Sequence, residues 1–387
     1  MPRRNLEGLT LSGNGARIDF LYLNEPDMIA AGVTEMPQCV DVMEETLKLA
    51  GRGDYRMAGA EGNSHGAMVT FPAQPEHEGM PADGPHRRFM AMPAYLGGSF
   101  RMSGCKFYGS NLANREHGLP RSILMFTLAD ADTGAPVAYM SANLLSAYRT
   151  GAVPGVGARH LATRDARTVG IVAPGVMNQT SLEAFVAVRP SITTVKVKGR
   201  SAGSTQAFVD WARATFPQLD VRTVDTVEEA VRDSDIVSIA PTTPAGSEHY
   251  LRLEREWLKP GAFVSLPADI MIDEALVDGA RHFADHRGLY EEWQRELPAP
   301  AHEYVGLLGM YLLDRVGAGT LASERFENLP DVLNGTAEGR RNDDEIILFS
   351  VGGMPIEDVA WGTAVYRNAV ERGIGTSLNL WDAPARA

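Results

Sequence analysis

The stretch RTVGIVAPG, residues 167–175, most constrains the fold, because an apolar β-branched run stops there at a proline and a glycine and a helical pattern follows from Val176. A parallel strand that enters a helix in this way aims unpaired backbone N–H groups and the positive end of the helix dipole at the strand tip. Such a turn suits a dinucleotide pyrophosphate. Its glycine pattern G-x-G-x-x-G/A is incomplete, since Ala173 and Asn178 leave only Gly175. The turn alone therefore fits a nucleotide site and an ordinary buried strand equally well.

The region around this turn alternates strands and helices. Between residues 148 and 325 the patterns predict strands at 167–173, 193–198, 221–224, 236–240 and 262–266, with helices from 176 and at 204–215 and 227–233. Alternation of this kind specifies βαβ units, and strands apolar on both faces belong in a parallel sheet covered by helices. The flanking regions predict strands at 18–23, 122–130, 135–141 and 345–350 and helices at 37–50 and 357–372. We predict an α/β protein with a Rossmann-type doubly wound parallel sheet.

Composition and charge exclude several classes of function. The 387 residues carry a formal net charge of −13 and show no stripe of lysine and arginine, which argues against nucleic-acid binding. No run reaches the roughly 20 apolar residues of a membrane helix, and Cys39 and Cys105 do not indicate a disulfide framework. A cytoplasmic protein whose partners are small molecules or other subunits is the simplest expectation. His282 and His286 have ligand-like spacing but fall where a late strand is expected, so we predict no metal site.

Five segments together resemble the ornithine cyclodeaminase and mu-crystallin family: MPAYLGGSFRMSGCKFYG at 92–109, GLP at 118–120, LADADTGAPVAYMSANLLSAYRTGA at 128–152, the strand at 167–175, and GRRNDDEIILFSVGGMPIEDVAW at 339–361. The resemblance implies a discontinuous α+β substrate-binding and dimerisation domain from residues 1–147 and 326–387. It implies a Rossmann domain at 148–325 that binds NAD(H) or NADP(H), and a homodimer formed through the substrate domain. Family members act at the carbon–nitrogen bond of amino acids.

The resemblance also implies substrate and catalytic residues. Lys106 matches a lysine that faces the substrate beside the nicotinamide, and Arg149 matches an arginine that clamps the substrate carboxylate, for which a guanidinium fork is apt. Asp269 matches the catalytic aspartate, which would move a proton to and from the substrate nitrogen. The competing interpretations are a solvated surface lysine, a structural ion pair of the arginine, and a helix N-cap by the aspartate.

One family feature is missing from the sequence. A further carboxylate-binding arginine is expected ahead of the MPA stretch, but the region reads GNSHGAMVTFP. His65 stands near that place, and Arg56, Arg87 and Arg88 are alternatives. The identity of the substrate therefore stays open.

The cofactor residues fall in four places. By resemblance Thr150 lies near the cofactor phosphates and Gly352 near the nicotinamide, while the turn residues Gly175, Val176, Met177 and Asn178 would offer the helix N-terminus to the pyrophosphate. The segment after the second strand of the parallel sheet lacks the carboxylate that NAD-specific folds place there. Its Lys198, Arg200 and Ser201, with Ser204 behind them, suit a 2′-phosphate, which favours NADP(H) over NAD(H).

Three functions remain open at this point. The first is an NAD(P)-dependent oxidoreductase that reduces an imine or oxidises the corresponding amine next to a carboxylate. The second is a redox-neutral cyclodeaminase of the ornithine type that uses bound NAD(P)+. The third is a protein similar to mu-crystallin that binds NADPH and a ligand with little turnover. The incomplete glycine pattern of the turn and the missing arginine favour this function.

Overall fold

A computed structural model describes residues 17–386. The chain forms two compact units, each built from separate stretches. Of the described residues, unit 1 contains 17–35, 54–146 and 355–386. Unit 2 contains residues 36–53 and 147–354.

The elements are numbered in chain order. The strands are β1 (Ile18–Leu23), β2 (Tyr55–Met57), β3 (Ala67–Val69), β4 (Arg88–Leu96), β5 (Met102–Ser110), β6 (Ser122–Asp130), β7 (Pro136–Ser141), β8 (Thr168–Val172), β9 (Thr194–Lys198), β10 (Asp220–Thr223), β11 (Ile236–Ile239), β12 (Leu251–Leu253), β13 (Phe263–Leu266), β14 (Ile270–Ile272), β15 (Arg281–Ala284), β16 (Phe326–Asn328), β17 (Ile347–Ser350) and β18 (Thr376–Trp381). The helices are α1 (Glu25–Ala30), α2 (Met36–Gly51), α3 (Asn143–Leu161), α4 (Val176–Val188), α5 (Ala202–Thr215), α6 (Val227–Val231), α7 (Glu274–Gly279), α8 (Arg287–Glu296), α9 (Leu308–Gly317), α10 (Leu329–Leu333) and α11 (Pro355–Arg372).

Unit 1 is a mainly antiparallel sheet with one face covered by α11. The strand order is β18-β1-β7-β6-β5-β4-β2, and β3 pairs with β4. Side chains alternate between the faces of β4, β5 and β6, as the period of two requires. The buried Phe126 ring on β6 lies against Gly104 of β5 and Gly362 of α11, where any Cβ would come within 2.6 Å of it. These two glycines let α11 and the sheet close around one aromatic side chain.

Unit 2 is a parallel sheet in the order β10-β9-β8-β11-β13-β17-β15-β16. The order runs backward from β8 to β10 and forward from β8 through β11, so the topological switch point lies between β8 and β11. In open α/β sheets ligands bind beyond the carboxyl ends of the strands at such a point. The predicted fold class, a doubly wound parallel sheet with a second discontinuous α+β unit, is confirmed.

The unit boundaries differ from the expected ones. Residues 326–354 were expected with the discontinuous domain, whereas β17 pairs with β13 and β15 in the middle of the parallel sheet and β16 pairs with β15. The strand–helix pattern of the sequence fades before β17, because β16 has only three residues and the stretch from 334 to 346 is irregular. Helix α2 also joins unit 2, where it packs on α4 and α10.

Helix α3 packs on α4 through glycines. A Cβ at Gly151 would lie 2.2 Å from Thr180 Oγ1 and 2.6 Å from the Thr180 carbonyl carbon. At Gly155 it would lie 2.7 Å from Ala184 Cβ. The two helix backbones therefore approach more closely than any larger residue allows, and this contact fixes the helix that begins at the nucleotide-type turn.

We expect Gly151→Ala to destabilise unit 2 by about 1 to 3 kcal/mol, because the new methyl group meets backbone atoms that cannot move aside. Gly203→Ala is the matched control, since Gly203 is also helical but has no atom within 4 Å of a built Cβ. It should raise stability by up to about 1 kcal/mol. Urea unfolding followed by circular dichroism measures both. Equal effects of the two substitutions would contradict the close helix contact.

Candidate functional site

The turn between β8 and α4 is closed by a side-chain amide. The buried Asn178 Nδ2 donates to the carbonyl oxygens of Val172, at 2.8 Å, and Ala173, at 3.0 Å. Ala173 has a positive φ of 65°, a conformation that glycine adopts more easily. Gly175 is the N-cap of α4, no side chain caps it, and a Cβ there would meet no atom within 4 Å. The turn thus keeps the open backbone approach of a nucleotide turn although two of its three glycines are replaced.

The loop after β9 lies beside this turn. A Cβ on Gly199 would come within 3.1 Å of the Pro174 ring, so the glycine lets the two loops touch. Lys198 Nζ donates to the Asp225 carbonyl oxygen at 2.6 Å, and Ser201 caps α5 by accepting from the Ser204 N–H. Arg200 is exposed, and within residues 17–386 its side chain forms no hydrogen bond or ion pair. The structure therefore brings together the predicted turn residues and the predicted phosphate-binding residues.

Asp269 lies between β13 and β14, beyond the carboxyl end of the parallel strand β13. Thr243 Oγ1 donates to its Oδ2 at 3.2 Å. Burial raises the pKa of the Asp269 carboxyl, and the hydrogen bonds from Thr243 and the Gly306 backbone oppose that rise. A helix cap is not its role, because the residues that follow form β14 and the next helix is capped by Asp273.

Gly306 allows a second segment to close over Asp269. A Cβ at Gly306 would lie 2.3 Å from the Tyr250 ring and 2.7 Å from Asp269 Cβ. The Tyr250 hydroxyl donates to the His302 carbonyl oxygen at 3.2 Å. This packing explains why the carboxylate is half-buried although it stands at a sheet edge.

Asp285 is a buried carboxylate that the sequence analysis missed. Its Oδ1 accepts from the His286 N–H at 2.8 Å and the Tyr290 hydroxyl at 2.9 Å, and its Oδ2 accepts from the N–H groups of Gly352 at 2.8 Å and Gly353 at 3.0 Å. Asp285 thereby fixes the backbone of the predicted cofactor residue Gly352. An acidic residue directly after the apolar strand HFA was the available signal.

Lys106 lies on the inner face of the sheet in unit 1. Its ammonium donates to Asp358 Oδ2 at 2.8 Å and to Ser146 Oγ at 3.2 Å. Only 2% of the Lys106 side chain is exposed, and none of Asp358, so the surface-lysine interpretation does not hold. Removing one partner of a buried ion pair leaves an uncompensated charge, which is strongly destabilising. Asp358 was not predicted, although an acidic residue inside the apolar helix PIEDVAW was a visible signal.

The remaining predicted residues lie in both units. His65 belongs to unit 1, in the segment between β2 and β3. Arg149, buried, and Thr150, half-buried, follow each other on the part of α3 that belongs to unit 2. In the part of the chain that the structure describes, no group of three or more histidine, cysteine and acidic side chains could hold a metal ion. None of the described helices combines the length and apolar character needed to cross a bilayer.

The chain is similar to known proteins over nearly its whole length. The profile of the ornithine cyclodeaminase/mu-crystallin family matches residues 32–373. The N-((2S)-2-amino-2-carboxyethyl)-L-glutamate dehydrogenase of Staphylococcus aureus is 27% identical over 94% of this chain and 99% of its own. Two solved structures share the fold with a TM-score of 0.74: an archaeal alanine dehydrogenase dimer with bound NAD, 23% identical over 94% of this chain and 100% of that one, and the Thermococcus litoralis Δ1-pyrroline-2-carboxylate reductase in complex with NADH and L-proline, 22% identical over 93% and 100%.

Asp269→Asn should stabilise the protein near neutral pH. Because the folded-state pKa is raised above the unfolded value, the carboxyl contributes its full stability only below the unfolded pKa and loses it as pH rises through the folded pKa. The stability gained by the variant should therefore be largest at pH 8 and shrink toward acid, as measured by urea unfolding at several pH values.

Asp235→Asn is the control of opposite sign. Asp235 is half-buried in the same unit, and although burial acts against this, its ion pair with Lys259 and two backbone hydrogen bonds lower its pKa. Its stabilising contribution is present above the unfolded pKa, so this variant should lose stability at pH 8. A loss of stability in Asp269→Asn at that pH would contradict the electrostatic argument.

Proposed function

The chain belongs to the ornithine cyclodeaminase/mu-crystallin family, and we propose that it is an NAD(P)-dependent oxidoreductase acting at the carbon–nitrogen bond of an amino or imino acid. The observation that carries this proposal is the half-buried carboxylate of Asp269, which lies beyond the carboxyl end of β13 in the sheet that also carries the nucleotide-type turn. The relatives named as amino-acid dehydrogenase and imino-acid reductase support it.

The residues of unit 2 suit a nicotinamide cofactor. The uncapped start of α4 and the open space at Gly175 would receive a pyrophosphate. Gly352, whose N–H is fixed by Asp285, would flank the nicotinamide, as the family resemblance implies. When bound, such a cofactor supplies hydride exchange with the substrate carbon.

Asp269 would handle the proton at the substrate nitrogen. Oxidation of an amine to an imine removes a hydride from carbon and a proton from nitrogen, and the reverse reaction returns both. Burial raises the pKa of the Asp269 carboxyl, which brings it closer to neutral pH than the pKa of an exposed carboxyl. Such a pKa suits a group that must both take and give a proton. Lys106 and Arg149 are the proposed carboxylate-binding residues, and both are buried cations.

The test uses the purified full chain with NADPH or NADH and a panel of 2-oxo acids with amines, cyclic imino acids, and ornithine with NAD+. We expect a net change in nicotinamide absorbance together with an amino-acid product. Asp269→Asn and Lys106→Ala should each lower kcat by about 100-fold or more, and Asp278→Asn, an exposed acid on α7, should leave it unchanged.

Three outcomes would contradict this proposal. Release of ammonia from ornithine without net cofactor consumption would indicate a cyclodeaminase. Binding of NADPH without turnover would indicate a ligand-binding protein. Turnover that neither substitution lowers would place the catalytic residues elsewhere in the chain.

We further propose that NADP(H) is preferred over NAD(H). The last residue of β9 is Lys198, so this strand does not end in a carboxylate. The exposed Arg200 directly precedes Ser201, the N-cap of α5. Arg200→Gln should raise KM for NADPH about tenfold, the effect of one charged hydrogen bond, with little change for NADH. Arg222→Gln, an exposed arginine paired with Asp220, is the control. A lower KM for NADH than for NADPH in the unaltered chain would overturn the preference.

A homodimer through unit 1 is also proposed. Phe89, Phe107 and Ile123 lie on the outer face of β4, β5 and β6 and are each more than 40% exposed. Adjacent exposed apolar side chains on a sheet face mark an interaction surface. The archaeal alanine dehydrogenase of similar fold is described as a dimer. Sedimentation of the purified chain as a monomer would contradict this assembly.

A further inference from the structure

Four basic side chains of unit 1 come together without an acidic partner. This basic cluster consists of His86, Arg88, Arg115 and Arg121. Within residues 17–386 none of the four side chains forms an ion pair or a hydrogen bond, although Arg88, Arg121 and His86 are half-buried. In a chain with a formal net charge of −13, unpaired cations gathered at one place require an explanation.

The backbone holds the three segments of the basic cluster together. The Leu112 N–H donates to the Pro85 carbonyl oxygen at 3.0 Å, and the Asn111 N–H donates to the Arg121 carbonyl oxygen at 2.8 Å. Asn114 Nδ2 donates to the Arg121 carbonyl oxygen as well, at 3.3 Å. The fold therefore holds the segments that carry the four cations next to one another.

The cations also influence one another electrostatically. Burial, and then the nearby Arg88, lowers the pKa of Arg121. Burial, followed by Arg121 and Arg88, likewise lowers the pKa of His86. Neighbouring positive charges repel one another, and a bound anion would offset that repulsion.

Of the basic cluster, Arg88 lies on the same sheet face as Lys106. Arg88 pairs in register with Ser110, and its guanidinium carbon lies 6.0 Å from the centre of the Tyr108 ring on the buried face. Lys106 precedes Ser110 by four residues on β5, which is about 13 Å along a strand. The row between them carries the buried Met90 and Tyr108, with Leu124 packed against them, and the buried Met92 stands opposite Lys106.

We propose that the basic cluster binds a carboxylate and so selects a substrate that carries a second acidic group remote from the reacting carbon. Guanidinium groups bind carboxylates through two parallel hydrogen bonds, and several such groups around one anion give both charge and orientation. The assignment of this anion to a substrate rests on the proposed oxidoreductase function.

The test compares two 2-oxo acids of equal chain length by calorimetric titration of the full chain. 2-Oxoadipate ends in a carboxylate and 2-oxohexanoate ends in a methyl group, so the difference in their affinities reports the second acidic group. We expect at least about tenfold tighter binding of 2-oxoadipate, and Arg121→Gln should remove that preference by weakening 2-oxoadipate about 10- to 100-fold, the range for a charged hydrogen bond. Binding of 2-oxohexanoate should not change.

Two further variants keep the test decisive. Arg101→Gln is the control, because Arg101 is an exposed arginine of the same unit paired with Asp132 at 3.3 Å. Arg88→Gln repeats the test if Arg121→Gln does not fold, as judged by circular dichroism. A preference retained in both cluster variants, or no preference in the unaltered chain, would overturn the proposal.

Other results assign the cations elsewhere. Inorganic phosphate that binds tightly and in a manner dependent on Arg121, with no preference for 2-oxoadipate, would replace the carboxylate site by a phosphate site. If Arg121→Gln changes the sedimentation of the chain but not its affinity for 2-oxoadipate, the basic cluster is an assembly contact. Absence of hydride transfer with the preference for 2-oxoadipate intact would overturn the oxidoreductase function alone, whereas turnover with no effect of Arg121→Gln would overturn the cluster proposal alone.

Discussion

Close backbone packing through glycine is the constraint on which unit 2 depends. Gly151 brings α3 against Thr180 of α4, and Gly170 of β8 would place a Cβ 2.1 Å from the Ala230 carbonyl oxygen. Gly199 and Gly306 do the same for the two loops that border the candidate site. Each glycine loses more entropy on folding than a larger residue, a cost that close packing must offset. The shape of the candidate site therefore depends on these glycines as much as on the side chains that line it.

Much of the fold could be predicted because it depends on local patterns. The β-branched runs and helical spacings predicted the parallel sheet, and the strand patterns at 122–130 and 135–141 correctly predicted β6 and β7. The end of unit 2 could not be read from the sequence, since whether β17 enters the sheet depends on pairing with strands more than 60 residues away. Periodicity carries no information on such distant partners.

The candidate site was partly predictable for the same reason. The family resemblance pointed to Asp269, and residue type and position after a strand pointed to the segment from Lys198 to Ser201. They could not show that Lys106 is buried against Asp358, or that Asp285 accepts hydrogen bonds from the N–H groups of Gly352 and Gly353, because these contacts join segments remote in sequence. Buried charges are accounted for only when every partner is known.

The amide of Asn178 makes the nucleotide-type turn dependent on a single nitrogen atom. Both carbonyl oxygens that it bridges are acceptors, so only a side chain with two N–H donors at this point can serve them. Hydrolysis of that amide to a carboxylate, the ordinary chemical ageing of asparagine, would set an anion against two carbonyl oxygens and beside the place proposed for a pyrophosphate. A glycine turn has no such vulnerability. The exchange of glycine for asparagine thus ties the turn to the chemical integrity of one side chain as well as to its backbone shape.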